Sequence, residues 1–291
     1  MMEIEHGHGI AGRYAGLPDP YGSEVSSQIV ILPVLFDKTS TYQKGSDKGP
    51  EALIEASRNL ELYDIETDSE VYLKGIYTDR SIQVETSEEM LRLTYNRTKE
   101  WLLKNKFVVT IGGEHSISYA PIKAHAEHYK KLTVLQLDAH TDLQPAYENN
   151  PWSHASVMAR VKEIPQVSTL VSVGIRSMSH EELPFLERSN VFFAHNLERM
   201  KAEHVLQKLA SPVYITIDLD VFDSSLMPST GTPEPGGISW NQAMSLLKRV
   251  IQEKNVVGCD VVELCPNPYN LAPDYLAAKL IYKLLSYKFK G

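Results

Sequence analysis

Three stretches of the sequence run from apolar residues into acidic or imidazole side chains. In residues 133–142, a short apolar run is followed by Asp138, His140 and Asp142, each two positions after the last. Successive side chains of a strand point to opposite faces, so these three share one face. Two carboxylates and an imidazole on one buried face are costly unless positive charge lies between them. A divalent metal ion is the simplest source of that charge.

Two further stretches repeat this arrangement. Residues 213–220 place two aspartates on one face after an apolar run, and residues 107–115 pass through two glycines to a histidine. No Lys or Arg lies within the three stretches to neutralise the four aspartates, so buried salt bridges explain the pattern poorly. The pattern therefore predicts a metal centre at the ends of three strands, with six ligands: His115, Asp138, His140, Asp142, Asp218 and Asp220.

The composition of this ligand set indicates which metal it suits. Four carboxylates among six ligands suit two divalent ions better than one. Oxygen donors mixed with imidazole favour Mn²⁺ over Zn²⁺, which prefers sulfur-rich or tetrahedral sites. Two ions ~3.5–4 Å apart can share a water molecule and lower its pKa enough for attack near neutral pH. The predicted cofactor is two Mn²⁺ ions, and the predicted chemistry is hydrolysis at an electrophilic carbon.

The segments that position these residues alternate between strand and helix. Apolar runs predict strands near 28–34, 70–76, 107–111, 133–138, 169–175, 190–194, 213–218 and 256–264. Helices are predicted from Pro50, after a capping signal at Thr86, and near 117–130, 155–163, 202–210, 241–254 and 273–288. This alternation predicts an α/β fold, a three-layer αβα domain with a mainly parallel central sheet. Active sites of such sheets form beyond the carboxyl ends of the strands, where the six ligands fall.

Length and composition narrow the class of protein. No Gly/Ser-rich or Pro-rich linker divides the 291 residues, which predicts one domain over 1–291 with an irregular segment at 1–27. His6 and His8 in that segment are expected to be solvated. The net charge of −8 without a basic stripe argues against nucleic acid and anionic membranes. The two cysteines suggest no disulfide framework, and no apolar run approaches the ~18 residues of a membrane span. A cytoplasmic protein is expected.

Five blocks of the sequence together resemble the ureohydrolase family, which includes arginase and agmatinase. They are G-G-E-H-S at 112–116, D-A-H-T-D at 138–142, S-H-A-S at 153–156, I-D-L-D-V-F-D at 217–223 and T-G-T-P-E-P-G-G at 230–237. The resemblance runs from about Tyr14 to the C-terminus. It is strongest to the agmatinase branch, through P-E-P-G-G, S-H-A-S and Y-A-G-L-P at 14–18. Glu114, Ser224 and Ser229 depart from the usual pattern without replacing a ligand.

The resemblance implies an arginase-like fold, an activity and further site residues. It implies that two Mn²⁺ ions bound by the six ligands hydrolyse a guanidinium group to urea. His154 resembles the proton-relay histidine of the family, and Glu263 the glutamate that holds the guanidinium. The alternatives without a catalytic role are that His154 caps a helix and that Glu263 is an ordinary surface charge at a strand end. Asp223 and Asp260 match no ligand position and are expected to be structural. Homo-oligomers, trimers or hexamers, are also implied.

The expected reaction is hydrolysis of agmatine, a small cationic guanidino compound, to putrescine and urea. Alternatives are another ureohydrolase activity on arginine or guanidinobutyrate, a catalytically silent homologue that serves as a binding partner, and a metal-dependent deacetylase. The intact ligand set argues against the silent homologue, and the paired aspartates argue against the deacetylase. Glu148, in the rim segment after Asp142, is expected to favour the ammonium of agmatine over the carboxylate of arginine, unless it merely faces solvent.

Overall fold

The apolar runs assemble into one sheet of nine strands. The computed structural model describes residues 10–199 and 201–290, so His6 and His8 lie outside the described residues. The strands are β1 (Ile29–Leu35), β2 (Ile76–Thr78), β3 (Ile82–Gln83), β4 (Phe107–Gly112), β5 (Leu132–Leu137), β6 (Val167–Ile175), β7 (Val191–Phe193), β8 (Val213–Asp218) and β9 (Val256–Val262). Their order is β2-β1-β4-β9-β8-β5-β6-β7, and β3 also pairs with β1. Every pairing between these strands is parallel.

Helices cover both faces of this sheet. They are α1 (Gly49–Ser57), α2 (Ser87–Leu103), α3 (Tyr119–Tyr129), α4 (Val157–Lys162), α5 (Ala202–Leu206), α6 (Trp240–Glu253) and α7 (Ala272–Lys288). On one face α1, α7, α6 and α5 pack in a row, and on the other α2, α3 and α4 do so. The predicted three-layer α/β domain with a parallel central sheet is confirmed, while its extent over all of 1–291 stays a prediction.

Continuous apolar strands are what a sheet covered on both faces requires. Along β1, Ile29 and Ile31 pack into the layer of α1 and α7, whereas Val30 and Leu32 pack into the layer of α2. Both sets are buried. Burial on both faces fixes the register of each strand, and therefore where its carboxyl end delivers the next side chain.

One strand prediction is wrong in its position. Residues 70–76 were expected to form a strand, but a 3₁₀ turn (Val71–Lys74) stands there and β2 begins only at Ile76. Gly75 takes a positive φ of 75° that ends the turn, and a Cβ at that position would lie 2.5 Å from Ser27 Cα. The apolar side chains of Val71 and Tyr72 are buried, in a turn that packs against α7. The apolar side chains of this run are therefore buried by packing against a helix and not by pairing in the sheet.

The N-terminal segment is irregular where it is described. Its 3₁₀ turn (Tyr14–Gly16) is buried, and the Tyr14 hydroxyl donates a hydrogen bond of 2.7 Å to the carbonyl of Ala278 in α7. Within the two described ranges, no helix is both long and apolar enough to cross a lipid bilayer.

Candidate metal centre

The six predicted ligands meet at the carboxyl ends of β4, β5 and β8. These strands lie near the middle of the sheet, in the order β4-β9-β8-β5. His115 follows β4 through a glycine pair, Asp138 follows β5 directly, and Asp218 ends β8. Parallel pairing brings the three strand ends to one edge, so residues far apart in the chain become neighbours there.

His115 faces three of the aspartates. Its Nδ1 atom lies 3.1 Å from Oδ2 of Asp138, 2.9 Å from Oδ2 of Asp142 and 3.4 Å from Oδ2 of Asp218. No hydrogen bond within the described ranges uses this buried nitrogen. An imidazole nitrogen aimed between carboxylate oxygens is the donor arrangement of a divalent cation site.

The hydrogen bond made by Nε2 of His115 indicates which ring nitrogen carries the proton. Nε2 lies 2.9 Å from Oγ1 of Thr216, and that hydroxyl donates to Oδ1 of Asp260 at 2.7 Å. Thr216 has one hydroxyl hydrogen and gives it to the carboxylate, so it accepts from Nε2–H. The lone pair of neutral His115 is then on Nδ1, which is the state that binds a metal.

A second group of ligand atoms surrounds His140. Its Nδ1 atom lies 2.9 Å from Oδ2 of Asp220 and 3.8 Å from Oδ1 of Asp138. Ligand atoms of His115, Asp138 and Asp218 lie within 4.8 Å of one another, and so do those of Asp138, His140 and Asp220. Asp138 belongs to both groups, so it would contribute to both predicted cation positions. Asp142 joins the first group through His115.

Backbone amides hold one oxygen of several of these carboxylates. The amide of His140 donates to Oδ1 of Asp138 at 2.6 Å, and the amide of Ala139 donates to Oδ1 of Asp220 at 2.9 Å. The amide of Asp220 donates to Oδ1 of Asp218 at 2.9 Å. The other oxygen of each aspartate then faces the histidines. Such bonds orient the ligands before any cation binds.

The electrostatics of the cluster favour positive charge. Burial, and then the carboxylates of Asp142 and Asp220, raise the pKa of Asp138 to about 7. Burial, Asp220 and Asp138 raise the pKa of Asp218 well above its usual range. For His140, burial lowers the pKa, but the carboxylate of Asp220 opposes it, and the result is a pKa of about 11. Crowded buried carboxylates thus draw cations, and the donor set fits two divalent ions.

A cavity of about 210 Å³ opens directly above this cluster. Glu263 lines it and is buried; its Oε1 accepts a hydrogen bond of 2.6 Å from the amide of His115. Burial, and then the nearby Glu114, raise the pKa of Glu263 well above its usual range. A cationic group in the cavity offsets that cost, so Glu263 is placed to accept hydrogen bonds from a guanidinium.

His154 lines the same cavity at the start of a 3₁₀ turn (His154–Ser156). Its Nδ1 lies 3.1 Å from Oγ1 of Thr39, and its ring packs edge-on against Tyr147 at 5.6 Å between centroids. His154 does not cap this turn. The residue at the N-cap position is Ser153, and His154 is the first residue of the turn itself. The ring is instead turned toward the cavity and Thr39.

The wall of the cavity is rich in carboxylates. Besides the cluster, His154 and Glu263, it includes the buried Glu182, which is held by three donors: Thr141 Oγ1, Leu143 N and Ser179 N. None of the described residues that line the cavity is Lys or Arg. Glu148 is exposed and lines an adjoining groove with Lys38 and Lys44. The remaining lining is uncharged: Ser40, Thr41, Tyr42, Gln43, Gln144, Tyr147, Ala155, Ser177, Met178, Ser179, Gly231 and Thr232.

The structure adds supporting residues that the sequence analysis did not assign. Asp260, expected to be merely structural, reaches His115 through Thr216. A signal for it was present, because an aspartate inside an apolar strand needs a buried partner. Asp223 holds a turn that follows the lining residues Gly231 and Thr232 in the chain, since its Oδ2 accepts hydrogen bonds from the amides of Gly236 and Gly237.

Comparison with known proteins agrees with this geometry. The sequence matches the arginase family over residues 27–286. It is 37% identical over 268 residues to an N(1)-aminopropylagmatine ureohydrolase of Thermus thermophilus, covering 90% of each chain. It is 35% identical over 246 residues to an agmatinase of Bacillus cereus, covering 82% of this chain and 84% of the other. The crystal structure of an agmatine ureohydrolase of Thermoplasma volcanium superimposes with a TM-score of 0.86 at 28% identity, covering 96% of this chain and 94% of that one.

Proposed function

Because this chain belongs to the arginase family and is a ureohydrolase, we propose that it hydrolyses the guanidinium of agmatine to putrescine and urea. The family acts on small guanidino compounds, and the finer choice of substrate rests on the cavity. The observation that carries the proposal is the absence of Lys and Arg among the described lining residues. A substrate that ends in a carboxylate finds no partner there, whereas one that ends in an ammonium meets a wall rich in carboxylates.

The residues of the site divide the work of the reaction. Glu263 accepts hydrogen bonds from the guanidinium and holds its carbon over the cluster. His115, Asp138, His140, Asp142, Asp218 and Asp220 would hold two Mn²⁺ ions, which would supply Lewis acidity to activate a water molecule. His154 gives a proton to the departing amine, which cannot leave as an anion at neutral pH. The geometry that supports these roles is that seven of the eight side chains line one cavity, while the buried Asp138 belongs to both groups of ligand atoms.

A second candidate substrate is N(1)-aminopropylagmatine. Relatives named as N(1)-aminopropylagmatine ureohydrolases match at 37% and 34% identity, alongside the agmatinases. The aminopropyl group adds a further ammonium at the end away from the guanidinium. The uncharged part of the cavity lining includes Tyr42, whose side chain is exposed. We expect the cavity to accept a longer amine, because none of the described residues that line it is Lys or Arg.

Urea release from a substrate panel tests the proposal. The protein is loaded with Mn²⁺ and kcat/KM is compared for agmatine, N(1)-aminopropylagmatine, arginine and guanidinobutyrate. Agmatine and guanidinobutyrate form a matched pair that differs mainly in the terminal charge. We expect the two amines to exceed the two carboxylates by at least ~10²-fold, as when a site leaves a substrate charge unpaired. Equal values, or a preference for arginine, would contradict the proposal. The predicted homo-oligomer and cytoplasmic location stay predictions.

A further inference from the structure

The hydroxyl of Thr39 lies between a buried carboxylate and the histidine of the cavity. Oγ1 of Thr39 donates to Oε1 of Glu114 at 2.7 Å. The same oxygen lies 3.1 Å from Nδ1 of His154 and accepts a hydrogen bond of 3.0 Å from the backbone amide of His154. Three residues that are far apart in the sequence are thus connected by a continuous series of hydrogen bonds.

Glu114 is the fixed end of this series. It is fully buried and accepts four hydrogen bonds: from the amides of Lys38 and Thr39 at 2.7 and 2.5 Å, and from the hydroxyls of Thr39 and Ser116 at 2.7 and 2.5 Å. Its two oxygens accept all four of these hydrogen bonds. The loop that carries Thr39 is therefore anchored to a buried carboxyl group.

Counting hydrogens then assigns the ring proton of His154. Thr39 has one hydroxyl hydrogen, and Glu114 takes it. The oxygen of Thr39 can only accept from its two other neighbours, so the 3.1 Å contact is an Nδ1–H of His154 donating to Oγ1. Which nitrogen of a neutral histidine carries the proton is set by the hydrogen bond that the other nitrogen makes. With the proton on Nδ1, the free lone pair of the neutral ring is on Nε2.

We propose that Glu114 and Thr39 are positioning residues that hold His154 with its proton on Nδ1 and leave Nε2 available for proton exchange with the substrate. The arrangement resembles in logic a carboxylate that orients a catalytic imidazole, with a hydroxyl inserted between them. Neither residue lines the cavity, so both would act through His154. This inference rests on the proposed role of His154 as the proton donor.

The competing explanation is that Glu114 and Thr39 only anchor the loop around residues 38–39. A loop anchor supports the cavity whether or not residue 154 is a histidine. A positioning pair matters only while the imidazole is present. A double-mutant cycle separates the two, because residues that act through one another are not additive.

The cycle uses Thr39→Val, which keeps the shape and removes the hydroxyl, together with His154→Asn and the double variant. We expect Thr39→Val to lower kcat at least about 10-fold with KM changed less than about threefold and the bound Mn²⁺ unchanged. In the His154→Asn background the same substitution should change kcat less than about twofold. Thr39→Ser, which restores the hydroxyl, should recover most of the wild-type kcat.

A matched control is Thr98→Val in α2. Thr98 is also buried, and its hydroxyl has no hydrogen-bond partner within the described ranges, so kcat should stay at the wild-type value. If Thr39→Val does not fold, Thr39→Ala replaces it in the cycle.

Three results would overturn the inference. An equal loss of kcat in both backgrounds means that Thr39 anchors the loop. If Thr39→Val has the wild-type kcat while His154→Asn is impaired, the inference is wrong but the proposed function is still supported. A wild-type kcat in His154→Asn removes the proposed proton donor, and the inference with it.

Discussion

Oδ2 of Asp138 lies 3.1 Å from Nδ1 of His115, while the same carboxylate also belongs to the ligand group of His140. We therefore expect this one aspartate to contribute to both of the predicted cation positions. Substitution of a ligand that serves one ion should remove one ion from the protein. Substitution of the ligand shared by both should remove two.

We expect Asp138→Asn to lower the bound Mn²⁺ by about two ions per chain and His140→Asn by about one, because only the first residue serves both groups. The Mn²⁺ content is measured by elemental analysis after desalting. Asp223→Asn, outside both groups, serves as the control for loss of a carboxylate. Retention of two ions by Asp138→Asn would contradict the shared role.

Removal of metal should destabilise the protein. The buried aspartates repel one another, and a cation that binds only the folded state stabilises it by mass action, by about 2.7 kcal/mol at a free concentration 100 times Kd. We expect chelation to lower Tm and abolish urea release, and added Mn²⁺ to restore both. Calorimetry with and without chelator measures the first effect. A fully active, metal-free protein would refute the two-ion site.

His154→Asn should lower kcat without loss of metal. His154 lines the cavity but belongs to neither ligand group, so the Mn²⁺ content should stay at the wild-type value. Loss of a general acid costs on the order of 10²–10⁴ in rate, and asparagine keeps a polar group of similar size. Steady-state kinetics with agmatine provide the measurement; an unchanged kcat would place the proton donor elsewhere.

Glu148→Gln should leave most of the preference for agmatine over arginine intact. The sequence suggested that Glu148 repels a carboxylate, but its side chain lines the adjoining groove beside Lys38 and Lys44 and is exposed. Exposed charges are screened and contribute little. We expect the ratio of kcat/KM values to change less than about threefold. A collapse of the ratio to one would return selectivity to Glu148.

The turn held by Asp223 should weaken in acid. Hydrogen bonds from the side chain and amide of Ser225, and from the amide of Gly236, lower the pKa of Asp223 to about 2. A depressed carboxyl pKa adds stability above its unfolded value of about 3.9, and that stability is lost as the pH falls toward the folded value. We expect Asp223→Asn to lower Tm at pH 7, and the difference from wild type to narrow between pH 4 and pH 2. A constant difference would exclude the charge as its cause.

The ligand cluster was predictable because its signals are local. Alternation along a strand placed Asp138, His140 and Asp142 on one face, and a parallel sheet brings strand ends together. The contacts of Thr39 were not predictable, because it lies in a polar loop and its partners Glu114 and His154 come from distant segments. The strand prediction for residues 70–76 was wrong for a related reason. An apolar run indicates that its side chains are buried, but it does not indicate whether a strand or a packed turn buries them.

The placement of the ligands also bears on how long the folded protein survives. His115, Asp138 and Asp218 follow strands that lie far apart in the chain, and β9, from near its end, is inserted between β4 and β8. Ions bound to all three would cross-link the centre of the sheet, so its strands could not separate until ligands were released. Escape of an ion would thereby become a step on the route to unfolding. The lifetime of the protein at high temperature should then follow the dissociation rate of the metal, and a slowly exchanging ion should lengthen it even at equal affinity.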